Sequence, residues 1–144
     1  MRREDLDIKH GDTEARRKKL EGEHDVSAQV IGAAIEVHRE LGPGLLESAY
    51  EEALCHELAL RKLRFRRQQP IPVRYKQIKL DCGYRADLIV EDKVIVELKT
   101  VERLLPVHEA QLLTYLKLSK RQVGLLLNFH VPYLRDGIRR LLNG

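Results

Sequence analysis

Two acidic side chains face each other across a predicted hairpin, and their chemistry is that of a metal-ligand pair. The segments Tyr84–Val90 and Val94–Lys99 alternate polar and apolar residues around a short turn, which predicts a β-hairpin centred on Asp92. In that register Asp87 lies opposite Glu97, with the two Cβ atoms ~5 Å apart. Carboxylates so placed repel each other, and a divalent cation such as Mg²⁺ between them would remove the repulsion.

Lys99 adds a positive charge to the same face of the hairpin, because it lies two residues beyond Glu97. A cation beside a carboxylate pair can orient an attacking water or stabilise charge that develops on a phosphate. The alternative is that Asp87 and Glu97 form ordinary ion pairs with Arg85 or Lys99 on an exposed sheet face. Metal-assisted phosphodiester hydrolysis and a plain charged surface therefore both remain open on these residues alone.

Hydrophobic spacing predicts the elements that would hold this hairpin. Apolar residues at helical spacing indicate helices over residues 26–41 and 45–62, separated by Gly42-Pro43-Gly44. A strand with Ile71, Val73 and Tyr75 has prolines typical of a sheet edge, and a long strand from residue 78 leads into the hairpin. The remaining elements are a helix, a buried strand and a segment that fits either a short strand or a helix, at residues 106–119, 123–129 and 137–142.

Length and composition indicate one domain that is large enough for its own core. The chain has 144 residues, a third of them charged, and no apolar run approaches the ~20 residues of a membrane span. We expect residues 1–24, dense in both charges, to form an N-terminal extension and residues 25–144 to form the domain. Two cysteines without metal spacing and no signal-peptide pattern favour a cytoplasmic protein that needs no membrane.

Basic residues cluster after the second predicted helix and suggest a polyanionic partner. The formal net charge is +4, and five cations crowd into seven positions: Arg61, Lys62, Arg64, Arg66 and Arg67. Together with Arg85 they are the candidate nucleic-acid-binding residues. The alternative is a solvated helix end whose cations interact favourably with the helix dipole.

The ordered set of motifs resembles the PD-(D/E)XK nuclease superfamily. Asp87 followed by Glu97-Leu98-Lys99 on adjacent strands, after an acidic helix, is similar to the motif that names the superfamily. Gly44-Leu45-Leu46-Glu47-Ser48-Ala49-Tyr50 is similar to the pattern that names its GxxExxY family, and the resemblance extends from about Val30 to Phe129. It implies a PD-(D/E)XK, restriction-endonuclease-like α/β core with a mixed β-sheet flanked by helices.

The resemblance also implies a site. The catalytic residues would be Glu47, Asp87, Glu97, Lys99, Gln111 and Tyr115. Metal ligands would come from the three acids and the backbone carbonyl of Leu98, with Mn²⁺ able to replace Mg²⁺. A helix-surface role for Glu47, and a purely structural role for Gln111 and Tyr115, remain the alternatives. The Gln-x-x-x-Tyr spacing resembles nucleases that process DNA ends or single strands.

Two functions from different classes follow. The first is a Mg²⁺-dependent nuclease that hydrolyses phosphodiester bonds of nucleic acid, with DNA favoured as the partner. The second is a catalytically silent nucleic-acid-binding or accessory protein on the same fold. The sequence leaves open DNA against RNA, endo- against exonuclease action, the number of metals and the formation of a homo-oligomer.

Overall fold

A computed structural model describes the backbone of residues 3–144 and the side chains of residues 13–144. Within residues 3–144 the chain forms three α-helices, seven strands and a 3₁₀ turn. The helices are α1 (Arg3–Leu41), α2 (Glu47–Leu60) and α3 (Pro106–Ser119). The strands are β1 (Phe65–Pro70), β2 (Val73–Tyr75), β3 (Ile78–Leu80), β4 (Arg85–Val90), β5 (Val94–Lys99), β6 (Val123–Asn128) and β7 (Ile138–Leu142), with the 3₁₀ turn at Leu134–Gly137.

Five strands form one mixed sheet in the order β1-β4-β5-β6-β7. All neighbours are antiparallel except β5 and β6, which are parallel and joined by the α3 crossover. The segment at residues 137–142, for which the sequence left a short strand or a helix open, forms the edge strand β7. Strands β2 and β3 form a separate two-stranded sheet. The predicted mixed α/β architecture is therefore confirmed.

The core has two layers, one on each face of the sheet. Helices α1 and α2 pack on one face against side chains that include Leu88, Val96 and Leu98. Helix α3 packs on the other face against Ile89 and Ile95. This division follows the alternation of apolar residues along the hairpin, because neighbouring strand residues point to opposite faces.

The predicted hairpin register is present. Val90 pairs with Val94 and Leu88 with Val96, and the left-handed φ angles of Glu91 and Asp92 make the tight turn. The β4–β5 ladder stops at the Leu88 pair. The two strands therefore separate at the point where the acidic residues begin.

The region before the hairpin differs from the sequence prediction. The edge strand is β1, whereas the expected strand at 71–75 and the long strand from residue 78 are replaced by the short pair β2 and β3. Only one side chain in β1, that of Phe65, is large and apolar, so the strand has no hydrophobic alternation to reveal it. Gly83, at φ +71°, provides a left-handed break between β3 and β4 that most side chains would disfavour.

The proposed extension at residues 1–24 lies partly outside the described residues. From Arg3 onward its backbone is helical and continuous with the rest of α1. Leu20 packs against the first core layer, and Glu23 is buried. The domain boundary after residue 24 thus falls inside a helix, and it stays a prediction. Within the part of the chain described, no helix is long and apolar enough to cross a membrane.

Candidate metal centre

Asp87 on β4 and Glu97 on β5 each accept a backbone hydrogen bond from the opposite strand, at the point where the two strands separate. Asp87 Oδ2 accepts a hydrogen bond from the Leu98 N–H at 2.8 Å, and Glu97 Oε1 accepts one from the Asp87 N–H at 3.2 Å. Each carboxylate therefore replaces a missing ladder bond with a contact to the opposite strand. This exchange brings the two acidic residues together where the ladder ends.

The environment of Glu97 is unfavourable for a negative charge. The residue is only 5% exposed, and no salt bridge reaches it from residues 13–144. Burial, followed by the charge of Asp87, raises the pKa of Glu97 to about 9, although Lys99 opposes this shift. A bound cation would remove the cause of the shift, because it would supply the missing opposite charge.

Glu47 reaches the same site from α2, where it is the first residue of the helix. Burial raises the pKa of the Glu47 carboxyl, the charge of Asp87 raises it further, and Lys99 lowers it. Glu47 is therefore close enough to Asp87 and Lys99 for their charges to act on its carboxyl.

Tyr50 explains how α2 is aimed at the site. Its hydroxyl donates a hydrogen bond to the Gly42 carbonyl and accepts one from the Leu45 N–H at 3.2 Å. Its ring stacks on Phe129 with the ring centres 4.5 Å apart. Gly44 has φ +102° and allows the chain to turn into the helix. The glycine and tyrosine of the Gly44-to-Tyr50 pattern therefore fix the loop that presents Glu47.

Replacing Tyr50 with phenylalanine should loosen this loop. The substitution keeps the stacked ring but removes both hydrogen bonds of the hydroxyl, so we expect the free energy of unfolding to fall by about 1–3 kcal/mol. Urea denaturation followed by circular dichroism measures the change. Tyr133→Phe is the control, since that side chain is largely exposed. Equal losses in the two variants would contradict the role of the Tyr50 hydroxyl.

Lys99 is held through its backbone at the end of β5. Its carbonyl accepts the Phe129 N–H at 2.9 Å. The adjacent Asn128 side chain, which is buried, bonds to both the N–H and the carbonyl of Val101 and to the N–H of His130. Sequence reasoning missed Asn128. The signal would have been a polar residue at the end of an otherwise apolar buried strand.

Of the predicted pair on α3, the structure joins Tyr115 to the site but not Gln111. The Tyr115 ring is buried, and burial followed by the charge of Glu97 raises the pKa of its hydroxyl. Gln111 is exposed, and its side chain makes no hydrogen bond to another residue in the described region. The catalytic assignment of both residues stays a prediction. Of the two, Tyr115 is the one whose pKa is shifted by the charges of Glu97 and Asp87.

Gln68 and Glu51 are neighbours of the site that the sequence did not reveal. The Gln68 amide donates to Glu51 Oε1 at 2.9 Å and lies 3.4 Å from Asp87 Oδ1. Gln68 has a left-handed φ of +48°, and its expected pairing with Asp87 is the one missing from the β1–β4 ladder. Because β1 was not predicted, nothing in the sequence placed Gln68 opposite Asp87.

The basic cluster is largely neutralised within the chain. Arg61 pairs with Glu57 at 3.1 Å, Arg64 pairs with Glu91 at 3.3 Å, and Arg66 pairs with Asp92. Arg67 binds both Glu51 and Glu52, at 2.8 and 3.0 Å. Lys62 and Arg85 make no salt bridge to a described residue. The alternative of a helix end is wrong for Arg66 and Arg67, which lie in β1.

The donor set fits a hard divalent cation. Asp87 and Glu97 provide carboxylate oxygens, and the Leu98 carbonyl points toward Asp87 because the N–H and C=O of one strand residue face the same edge. Among the described residues, no three His, Cys, Asp or Glu side chains form a ready-made metal cage. A site with two carboxylates and one carbonyl suits Mg²⁺, which binds through one or two carboxylates and keeps several waters.

A mixed sheet between helical layers, with paired acids and a lysine where two central strands separate, defines a nuclease-like α/β protein. Comparison with family models identifies the family: the model of the PD-(D/E)XK nuclease superfamily matches residues 24–141, and the chain belongs to that superfamily. Its members are generally nucleases that use divalent metal ions and act on nucleic acids. No match was found among curated proteins or solved structures.

Proposed function

We propose that this chain is a Mg²⁺-dependent nuclease that hydrolyses phosphodiester bonds in DNA and that it belongs to the GxxExxY branch of its superfamily. The observation that carries the proposal is the pair formed by half-buried Asp87 and buried Glu97: it lies beside Lys99, and no residue with a described side chain forms a salt bridge to it. A structural ion pair would have filled this position with a basic side chain. The pair instead has the composition of a metal site.

Each residue has a role that follows from its position. Asp87, Glu97 and the Leu98 carbonyl would hold the cation, with Glu47 completing the site directly or through water. The bound metal lowers the pKa of water and neutralises phosphate charge. Lys99 would orient the attacking water or stabilise the charge on the phosphate. Tyr115, with Gln111 one turn before it, would position Lys99 or the substrate backbone.

Lys99→Gln should separate metal binding from catalysis. We expect cleavage to fall about 100-fold, which is typical for the loss of one positioned acid–base or charge-stabilising group. Mg²⁺ affinity should change little, because an ammonium group is not a metal ligand. Cleavage of linear, circular and single-stranded DNA and of RNA measures activity, and calorimetry measures metal binding.

Lys93→Gln is the matched control, because Lys93 is an exposed lysine at the opposite end of the same hairpin. Equal cleavage by wild type and Lys99→Gln would point to a contaminant or to another site. If wild type cleaves none of the substrates but binds them, the silent nucleic-acid-binding protein is the better assignment.

A further inference from the structure

The β2–β3 hairpin emerges beside the metal centre. It connects the end of β1 to the beginning of β4, where Arg85 is the first residue and Asp87 the third. At the usual rise per strand residue, the Cα atoms of Arg85 and Asp87 are roughly 7 Å apart. Lys76 and Gln77 both have left-handed φ angles and form the tight turn at its tip. The hairpin therefore lies at the end of the sheet where β4 and β5 carry the carboxylates.

The cations of this hairpin form no ion pair with any residue whose side chain is described. Residues 73–80 contain three basic side chains and no acid, and the basic ones are Arg74, Lys76 and Lys79. In the part of the chain whose side chains are described, none of the three forms a salt bridge. This is the reverse of the situation in β1, where acidic side chains already occupy Arg66 and Arg67. Unpaired cations are available to phosphates without breaking an existing ion pair.

Exposed aromatic side chains accompany these cations. Tyr75 is 59% exposed, with the Lys76 ammonium 5.4 Å from its ring centre. Tyr84 is 46% exposed, and its ring lies 6.2 Å from that of Tyr115. A cleft of about 380 Å³ adjoins Tyr84, and its charged lining residues are Lys79, Arg85 and one acid, Asp81. The cleft therefore joins Lys79 of the hairpin to Tyr84, whose ring neighbours the buried Tyr115.

We propose that the β2–β3 hairpin and the adjoining cleft bind a single-stranded segment of nucleic acid and lead it to the metal centre. The inference deepens the proposed function and depends on it for the nature of the substrate. Phosphates would contact the three hairpin cations, while unpaired bases stack on Tyr75 and Tyr84. Stacking requires bases that are not already paired, which is why a single strand fits this surface better than a duplex does.

The experiment measures binding of a labelled oligothymidylate and of a matched duplex as a function of salt. Ca²⁺ is present to occupy the acidic centre, and a gel confirms that the strand stays intact. The test variant is R74Q/K76N/K79Q, with asparagine at Lys76 because that position has a left-handed φ. The control variant K120N/R139Q/R140Q removes the same charge elsewhere, at the end of α3 and on the opposite edge strand β7, with asparagine again at the position of left-handed φ.

We expect the hairpin variant to bind the single strand about 100-fold more weakly at 0.1 M salt, with the slope of log affinity against log salt reduced by about 2. The control should keep the wild-type slope. Tyr75→Ala should weaken binding of the single strand about tenfold and that of the duplex much less. We expect the variants to fold like wild type, because none of the replaced side chains is buried, and circular dichroism verifies this.

Several outcomes would overturn the proposal: a hairpin variant that binds like wild type, a control variant that loses as much, a wild type that prefers the duplex, or a wild type that binds neither nucleic acid. These results are separable from the proposed function. Hairpin-dependent binding without any cleavage would reject the nuclease and retain the binding surface. Cleavage that depends on Lys99 but not on the hairpin would do the opposite.

Discussion

Asp87→Asn is expected to abolish metal binding and cleavage while leaving the fold intact. The amide oxygen of asparagine can still accept the Leu98 N–H, so the contact between β4 and β5 survives. The negative charge is lost, and with it the main attraction for a divalent cation. Metal catalysis contributes several kcal/mol of charge stabilisation, which corresponds to at least about 1,000-fold in rate.

Calorimetry with Mg²⁺ and Mn²⁺ measures binding in this variant, and the cleavage panel measures activity. Asp136→Asn is the control, because it removes an exposed acid from the 3₁₀ turn. Metal affinity in Asp87→Asn equal to that of wild type would show that the metal site has been placed wrongly. Loss of both metal affinity and folding would instead assign Asp87 a structural role.

The second large effect is a pH dependence that originates at Glu97. Burial and the charge of Asp87 raise the pKa of its carboxyl to about 9 in the folded chain, well above its value in an unfolded chain. The folded state therefore retains a proton that the unfolded state releases. Stability from this group is complete below about pH 4.5 and is lost as the pH rises toward 9, by at most about 1.4 kcal/mol per pH unit.

Glu97→Gln should remove this dependence, since glutamine resembles the protonated acid and can keep the hydrogen bond from the Asp87 N–H. In a chelating buffer we expect the variant to resemble wild type near pH 5 and to exceed it in free energy of unfolding at pH 8. Urea unfolding across this range measures the difference. Parallel curves for the two proteins would contradict the shifted pKa.

The affinity for metal should depend on pH through the same proton of the Glu97 carboxyl. A cation at Glu97 displaces it, so Mg²⁺ affinity should rise with pH by up to tenfold per unit below about pH 9. Over three pH units this amounts to a rise in Mg²⁺ affinity of as much as about 1,000-fold. Calorimetry in buffers with different ionisation enthalpies counts the protons released. Wild type should release close to one, and Glu97→Gln should release none.

Local patterns were sufficient for the core elements. The β4–β5 hairpin and α3 are strongly periodic and bounded by turn or cap residues, so their ends and register could be predicted. The same patterns failed for β1, because an edge strand with one large apolar side chain carries no alternation. The separate β2–β3 pair was missed for a related reason: two adjacent strand-like segments do not indicate which sheet they join.

The candidate site divides in the same way. Asp87, Glu97 and Lys99 could be placed on one hairpin from spacing alone, because a strand alternates its faces with a period of two. Tyr115 was proposed for the site from its resemblance to known motifs, and its catalytic role stays a prediction; the charges of Glu97 and Asp87 raise the pKa of its hydroxyl. Gln68 and Glu51 could not be found, since each meets the site through contacts between residues distant in sequence, and Asn128 was missed although it is a polar residue at the end of an apolar strand.

The sequence by itself determined the acidic hairpin, the mixed α/β order and membership of a nuclease superfamily, because these follow from local periodicity and ordered motifs. Only the tertiary structure decided which cations are free. Arg66 and Arg67 are neutralised by acids from other elements, whereas the basic side chains of residues 73–80 form no salt bridge to any residue with a described side chain. Charge compensation depends on which surfaces meet in the folded chain, and composition along the sequence does not contain that information.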